Sequence, residues 1–275
     1  ASKTIEVIRQ HRDEPFFIAT GFVRPHYPMV APRRYFDMYP IEDITLPYVP
    51  DDDHDDIPPL GFPKVVSTKD PIGKYPDNQK RMWAGYYATV TYMDEQVGRI
   101  LDELDRQGLR DNTAVVFTSD HGYHLGEHHF WQKSNLHEEA LRVPLIISSP
   151  GVKAGRSSAI AELMDIYPTL SELAGFEAPE SVQGISLVPV LHDNSVHVRE
   201  AALTIDRSGY ALRSDRWSYI RYNDDTEELY DMQSDPSQLT NLAINPERED
   251  ELKTWRSKLE SRLNGAGITR KLKKG

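Results

Sequence analysis

The 275-residue sequence contains no cysteine. That excludes disulfides, thiolate metal ligands and a cysteine nucleophile from these residues. No apolar run is long enough to cross a bilayer as a helix. Basic charge is in short supply: 32 Lys and Arg against 43 Asp and Glu give a net charge of −11. A field of that sign disfavours non-specific nucleic-acid binding, so any anionic ligand must meet a local group of cations working against the whole. There is no internal repeat. The sequence opens at Ala1 without methionine or a signal-peptide pattern, already helical in character over Ser2–His11, and reads as a cut inside a larger protein.

What is present is organised around residues 112–147. Thr113–Thr118 is a β-branched, apolar run that reads as a buried strand, and it ends abruptly in Ser119-Asp120-His121-Gly122. A second apolar run covers Val143–Ile147. Between them lie five histidines (His121, His124, His128, His129, His137) and Lys133. Ligands of open α/β sheets bind beyond the carboxyl ends of the strands, so a carboxylate, an imidazole and a lysine at this edge suit an anion together with a metal. Asp120 offers a hard oxygen for calcium or magnesium. His121 can complete a metal shell, bind the anion or transfer a proton. Lys133 is a compact cation for one oxyanion. A zinc reading of His124, His128 and His129 is disfavoured, because His124-x-x-x-His128 contains glycine and lacks the glutamate placement of a metalloprotease helix.

Elsewhere, Ile5, Val7 and Ile8 mark a short first helix. Phe16–Val23 is expected to be a buried strand, delivering Arg24 and His26 onto a proline-stiffened loop, Arg24-Pro25-His26-Tyr27-Pro28. Residues 29–76 are proline-rich and irregular, with Arg33 and Arg34 as candidate anion ligands. The acidic run at 51–56 lacks the glycine and spacing of a calcium loop and is expected to be solvated and self-repelling. A helix capped by Asp77 should run to Gln107, with Met82, Tyr86, Val90, Met93, Val97, Ile100 and Leu104 as its core stripe and Gly108 as its stop. The order strand, helix, strand implies a right-handed crossover and parallel pairing. A helix over Ala161–Ala174 should stop at Gly175, with Pro168 bending it or in its first turn. Short runs at 201–205, 210–213, 217–222 and 228–230 read as an antiparallel meander. A helix over 246–263 and a frayed basic tail at 271–275 complete the chain.

Ser119-Asp120-His121-Gly122 through Leu125-Gly126-Glu127-His128, then Trp131-Gln132-Lys133 and Arg142-Val143-Pro144-Leu145, resemble the sulfatase family of the alkaline-phosphatase superfamily. Gly21–Pro28 resembles its strand-end loop, and Tyr87–Asp94 through Val97–Arg99 its long helix. Asp165–Leu170 through Leu173–Gly175, Glu228–Asp231, Asp235-Pro236 and Asn241-Leu242 resemble its C-terminal half. The histidine-rich loop and Arg-Pro-His look most like the iduronate 2-sulfatase branch. The resemblance implies an α/β fold, a mixed and largely parallel sheet flanked by helices, over residues 1–195. A small C-terminal antiparallel sheet with one helix is implied over residues 196–275.

The same resemblance implies sulfate-ester hydrolysis, on a sulfated saccharide, by a calcium-dependent protein that is exported, periplasmic or lysosomal. Asp120 and His121 resemble the metal pair. Lys133 resembles the sulfate-binding lysine, and His26 the histidine that contacts sulfate or assists the leaving oxygen. Catalytic roles are thus expected for His26, Lys133 and His121, with substrate contacts from Arg24, His26, Lys133, Arg33 and His124. Two departures stand out. Arg24 replaces a common lysine. The Cys/Ser-x-Pro-x-Arg motif that yields the formylglycine nucleophile is absent from these residues, as is the family's Asp-Asp metal pair. Both are expected in an N-terminal part acting as partner, leaving this chain silent alone. The alternatives are a phosphate-ester hydrolase of the same superfamily and a non-catalytic, anion-binding relative.

Overall fold

A computed structural model describes residues 1–268; the expected basic tail at 271–275 lies outside them. The helices and strands follow in the order α1 (Ser2–Gln10), α2 (Arg33–Phe36), β1 (Val65–Val66), α3 (Pro71–Lys74), α4 (Pro76–Arg106), β2 (Val115–Thr118), β3 (His124–Leu125), β4 (Phe130–Gln132), α5 (Glu138–Leu141), β5 (Leu145–Ser148), α6 (Ile166–Leu173), α7 (Val188–His192), β6 (Ala201–Ile205), β7 (Gly209–Ser214), β8 (Trp217–Tyr222), β9 (Glu227–Asp231) and α8 (Glu249–Gly265). Two compact units result, one of residues 1–48 and 66–115, the other of residues 49–65 and 116 onwards.

In the first unit, α1 buries Ile5 and Ile8, as its apolar spacing predicts. Arg9 forks onto Glu103 of α4 through Nε and Nη2 at 2.8 and 2.9 Å. Hydrogen bonds from Arg9 and Gln107 hold the Glu103 carboxyl down to about 2. Helix α4 begins two residues earlier than expected. Its N-cap is Tyr75 and Pro76 occupies the first turn, so Asp77 is no cap; it sits where a carboxylate meets the positive end of the helix dipole. The expected stripe is also only half right. Met82, Tyr86, Val90, Met93, Val97 and Ile100 are half-buried, and full burial falls on Ala84, Ala88, Thr89, Glu103 and Leu104. Gly108 adopts φ +67° just past the helix, the left-handed stop expected of it.

Phe16–Val23 corrects the sequence reading most directly. It forms no hydrogen-bonded strand among the described residues, and Phe17 and Val23 are 80% and 74% exposed. Its composition favours extended backbone, but a strand exists only when a neighbour supplies the ladder.

In the second unit β2 and β5 pair as a two-stranded sheet, and β6-β7-β8-β9 form the expected antiparallel meander in simple sequential order. The meander is buried on both faces, and the two-residue period sorts its side chains. Leu212, Trp217, Tyr219 and Leu229 pack against Leu252, Trp255, Leu259 and Leu263 of α8. On the opposite face Ala211, Ile220, Tyr222 and Tyr230 pack around Leu136. Truncating Leu259, only 1% exposed, to alanine should cost about 2–5 kcal/mol of unfolding free energy in a urea titration. Helix α6 carries Pro168 in its first turn, and Gly175 follows at φ +79°. The second face matters most here, because Leu136 roots the loop that carries Lys133.

Candidate functional site

Strand β2 ends where the sequence places the metal pair. Asp120 accepts the His121 backbone N–H on Oδ1 at 3.0 Å and is otherwise exposed. His121 Nδ1 lies 2.8 Å from the Gly122 carbonyl oxygen, so Nδ1–H donates there and Nε2 carries the lone pair of the neutral ring. That Nε2 lies 3.5 Å from Asp120 Oδ2. Two lone-pair atoms so placed suit a cation held by both, with the Gly122 carbonyl orienting the imidazole from behind. The pair fits calcium as one part of a shell, since calcium takes about six to eight, mainly oxygen, ligands. No group of three or more His, Asp or Glu among the described residues forms a metal site.

Gly122 owes its identity to space. A Cβ there would lie 1.9 Å from the Glu139 carbonyl oxygen, and its N–H donates to the Ala140 carbonyl at 2.8 Å. Gly122→Ala should therefore push the Asp120–His121 turn off α5 and weaken calcium binding by about tenfold or more in a calorimetric titration, with α8 and the meander intact.

Lys133 is presented on strained backbone. Gly126, His128, His129, Gln132 and Ser134 all have positive φ, so Lys133 sits between two non-glycine residues at φ +73° and +83°. Such conformations cost about 1–3 kcal/mol each and persist where the surroundings over-determine them. Phe130, Trp131 and Leu136 are fully buried, and β3 pairs β4 in the register His124↔Gln132 and Leu125↔Trp131.

Beneath the loop lies a buried polar network. His137 Nε2 donates to Glu228 Oε2 at 2.8 Å, and the Tyr222 and Tyr230 hydroxyls donate to the same carboxylate at 2.5 Å each. Burial alone would raise the Glu228 pKa, but His137 and these donors hold it below the usual range. Asn135 Nδ2 donates to His137 Nδ1 at 3.1 Å, and Asn135 Oδ1 accepts from His124 Nε2 at 3.0 Å. His128 Nδ1 donates to Asp53 Oδ2 at 3.1 Å, and the His128 ring stacks on His137 with centroids 4.8 Å apart. Burial depresses the His128 pKa, but hydrogen bonding and charge from Asp53 outweigh it and raise the value overall. His124 is the reverse case: burial, helped by His137 and His128, lowers it to about 3.

Two expectations change in consequence. His124, expected at the ligand, is fully buried and bound to Asn135. The acidic run is not simply solvated: Asp53 is buried on His128, and Asp56 Oδ2 accepts the Asn241 backbone N–H at 2.8 Å. His54, in the same run, donates Nε2–H to the His128 carbonyl at 2.7 Å. The sequence assigned Asp53, Asn135, Glu139 and Glu228 no part in such a network, at which only the crowding of polar residues beside Phe130-Trp131 and Leu136 hinted.

In the first unit, Arg24 braces its own loop, donating to the carbonyls of Val30 and His26 at 2.9 and 3.0 Å. His26 is exposed, with Nδ1 2.5 Å from the Tyr27 carbonyl oxygen, which fixes its proton on Nδ1. Arg33 is exposed beside Asp37, and Arg34 is engaged by Glu95 at 2.9 Å.

This fold is the alkaline-phosphatase-like fold. A phosphonate monoester hydrolase from Silicibacter pomeroyi superimposes with a TM-score of 0.85 at 23% identity, over 98% of this chain and 60% of its own. The sequence narrows the class further: residues 1–176 match the sulfatase family and residues 126–265 match the N-sulphoglucosamine sulphohydrolase C-terminal family, and the chain belongs to the sulfatases. A sulfatase of Formosa agariphila is 38% identical over 248 residues, covering 88% of this chain and 48% of the relative. Iduronate 2-sulfatase of Mus musculus is 34% identical over 206 residues, covering 60% of this chain and 37% of the relative. The chain spans about half the length of the curated relatives it matches most fully.

Proposed function

We propose that the protein to which these residues belong hydrolyses sulfate esters, with a sulfated saccharide as substrate. The observation that carries this reading is the pairing of Asp120 Oδ2 and His121 Nε2, 3.5 Å apart, on the same unit as a lysine held on strained backbone. Membership of the sulfatase family gives that pairing its chemistry. Asp120 and His121 contribute to a calcium site, and calcium bound there supplies positive charge toward the sulfate oxygens. Lys133 holds one sulfate oxygen as charge builds in the transition state, the term expected to dominate such reactions. Family likeness assigns His26 to the leaving oxygen, which it protonates, and Arg24 and Arg33 to anionic groups of the substrate. The nucleophile, a formylglycine in the family pattern, belongs to an N-terminal part acting as partner, since no Cys/Ser-x-Pro-x-Arg occurs here.

The test is to assay this chain alone and the protein joined to that part on sulfated monosaccharides and on phosphate and phosphonate monoesters. Sulfate-ester turnover confined to the joined protein supports the reading. Turnover by this chain alone, or preference for phosphorus esters, overturns it. Chelation should abolish the joined protein's turnover, and calcium rather than zinc should restore it; unchanged turnover under chelation would remove calcium from the account.

A further inference from the structure

Three buried polar atoms in the network beneath Lys133 have no hydrogen-bond partner in the protein: His124 Nδ1, His128 Nε2 and Glu139 Oε2. Their protonation follows from the bonds around them. Glu228 is a buried carboxylate that only accepts, so His137 donates from Nε2, and Asn135 Nδ2, 3.1 Å from His137 Nδ1, donates to that nitrogen. Asn135 must then present its amide hydrogens to His137 and its oxygen to His124, which places the His124 proton on Nε2. His124 Nδ1 is therefore a bare acceptor. It faces Glu139 Oε2, a second acceptor, at 3.9 Å, too far for a direct hydrogen bond and within reach of a bridge. The buried Asp53 carboxylate, 3.1 Å from His128 Nδ1, favours the imidazolium form, which offers Nε2–H as a donor, and the His128 ring meets His124 edge to face with centroids 6.3 Å apart.

We propose that His124 Nδ1, Glu139 Oε2 and His128 Nε2 together bind one internal water molecule, and that this water ties the Asp120–His121 turn to the Lys133 loop. Water matches the set. Its two hydrogens serve the two acceptors and its oxygen accepts from His128, the three hydrogen bonds that buried waters typically make. A divalent cation does not match the imidazolium that the buried Asp53 carboxylate favours at His128. The mechanical consequence follows from chain connectivity. Glu139 belongs to α5, whose Ala140 carbonyl accepts the Gly122 N–H and whose Glu139 carbonyl packs close against Gly122. His124 lies on β3 and His128 in the positive-φ stretch that leads to Lys133. Glu139 is thus a positioning residue, and its significance for catalysis rests on the roles proposed above for Asp120, His121 and Lys133.

The first test is a crystal structure of the joined protein near neutral pH, at a resolution that shows ordered water, with anomalous data. The expected result is one isolated peak within about 2.6–3.2 Å of all three atoms and without anomalous signal. Direct contact between His124 and Glu139, a dry site or an anomalous metal peak would overturn the proposal. The second test is amide hydrogen exchange in Glu139→Ala and Glu139→Gln. Glu139→Ala should speed exchange across 119–134 by about tenfold or more while 201–231 stays unchanged, and Glu139→Gln, which keeps an acceptor oxygen, should largely restore protection. Unchanged exchange in Glu139→Ala, or equal acceleration of 201–231, would remove the coupling. Neither readout uses turnover, so failure here leaves the sulfate-ester reading standing.

Discussion

Asp53→Ala should destabilise the second unit by about 3–5 kcal/mol, the typical penalty for removing one partner of a buried ion pair. Asp53 and His128 side chains are each 1% exposed, and they join residues 75 positions apart. Without Asp53 the imidazole must lose its proton or remain charged and unpaired, and the left-handed backbone at His128 and His129 loses what holds it. Urea unfolding followed by tryptophan fluorescence reads the change, and a loss below about 1 kcal/mol would show that the pair is replaceable. The pH dependence provides a second check. His128 has its pKa raised on folding, so its contribution is fully present below the unfolded value near 6.5 and fades as pH rises through the higher folded value. The wild type should lose this increment on the alkaline side of 6.5, and Asp53→Ala should show no such loss.

Lys133→Ala should lower kcat of the joined protein by about 10²–10³-fold, the usual effect of deleting one preorganised donor from a developing anion. Lys133→Arg should recover only part of it, because a planar fork cannot reproduce a point charge on this backbone. Lys133 stands between positive φ at Gln132 and Ser134, so a lysine moved to either neighbour would stand on left-handed backbone and would not substitute. A fall in kcat below about threefold would exclude Lys133 from the transition state. Calcium affinity measured on the same variants separates the two halves of the site: Lys133→Ala should leave it unchanged, and the Gly122→Ala variant should not.

Much of this architecture was legible in local pattern. The meander followed from alternating runs broken by Ser-Gly and Asn-Asp-Asp turns, and β6 to β9 fall within a residue or two of those runs. Helix α8 followed from Leu252, Trp255, Leu259 and Leu263, all of which are buried. Gly108 and Gly175 marked helix ends because a left-handed residue is costly for any other side chain. The Asp120–His121 turn was legible because a strand-forming run stopping at Asp-His-Gly leaves its polar groups at a sheet edge.

The rest depended on partners distant along the chain. Whether Phe16–Val23 becomes a strand is decided by a neighbouring ladder, not by its own composition. The burial of His124, the pairing of Asp53 with His128 and the junction of His137 with Glu228 join positions up to 91 residues apart. Histidine and carboxylate side chains serve equally in water, on a ligand or inside a core, and only the packed neighbours determine which. The sequence by itself therefore determined the long helices and the C-terminal meander, and it nominated the residues that could bind a cation and an anion. The tertiary structure alone decided which histidines remain at the surface and which are taken inside, because desolvation is compensated only where a partner has been folded into reach.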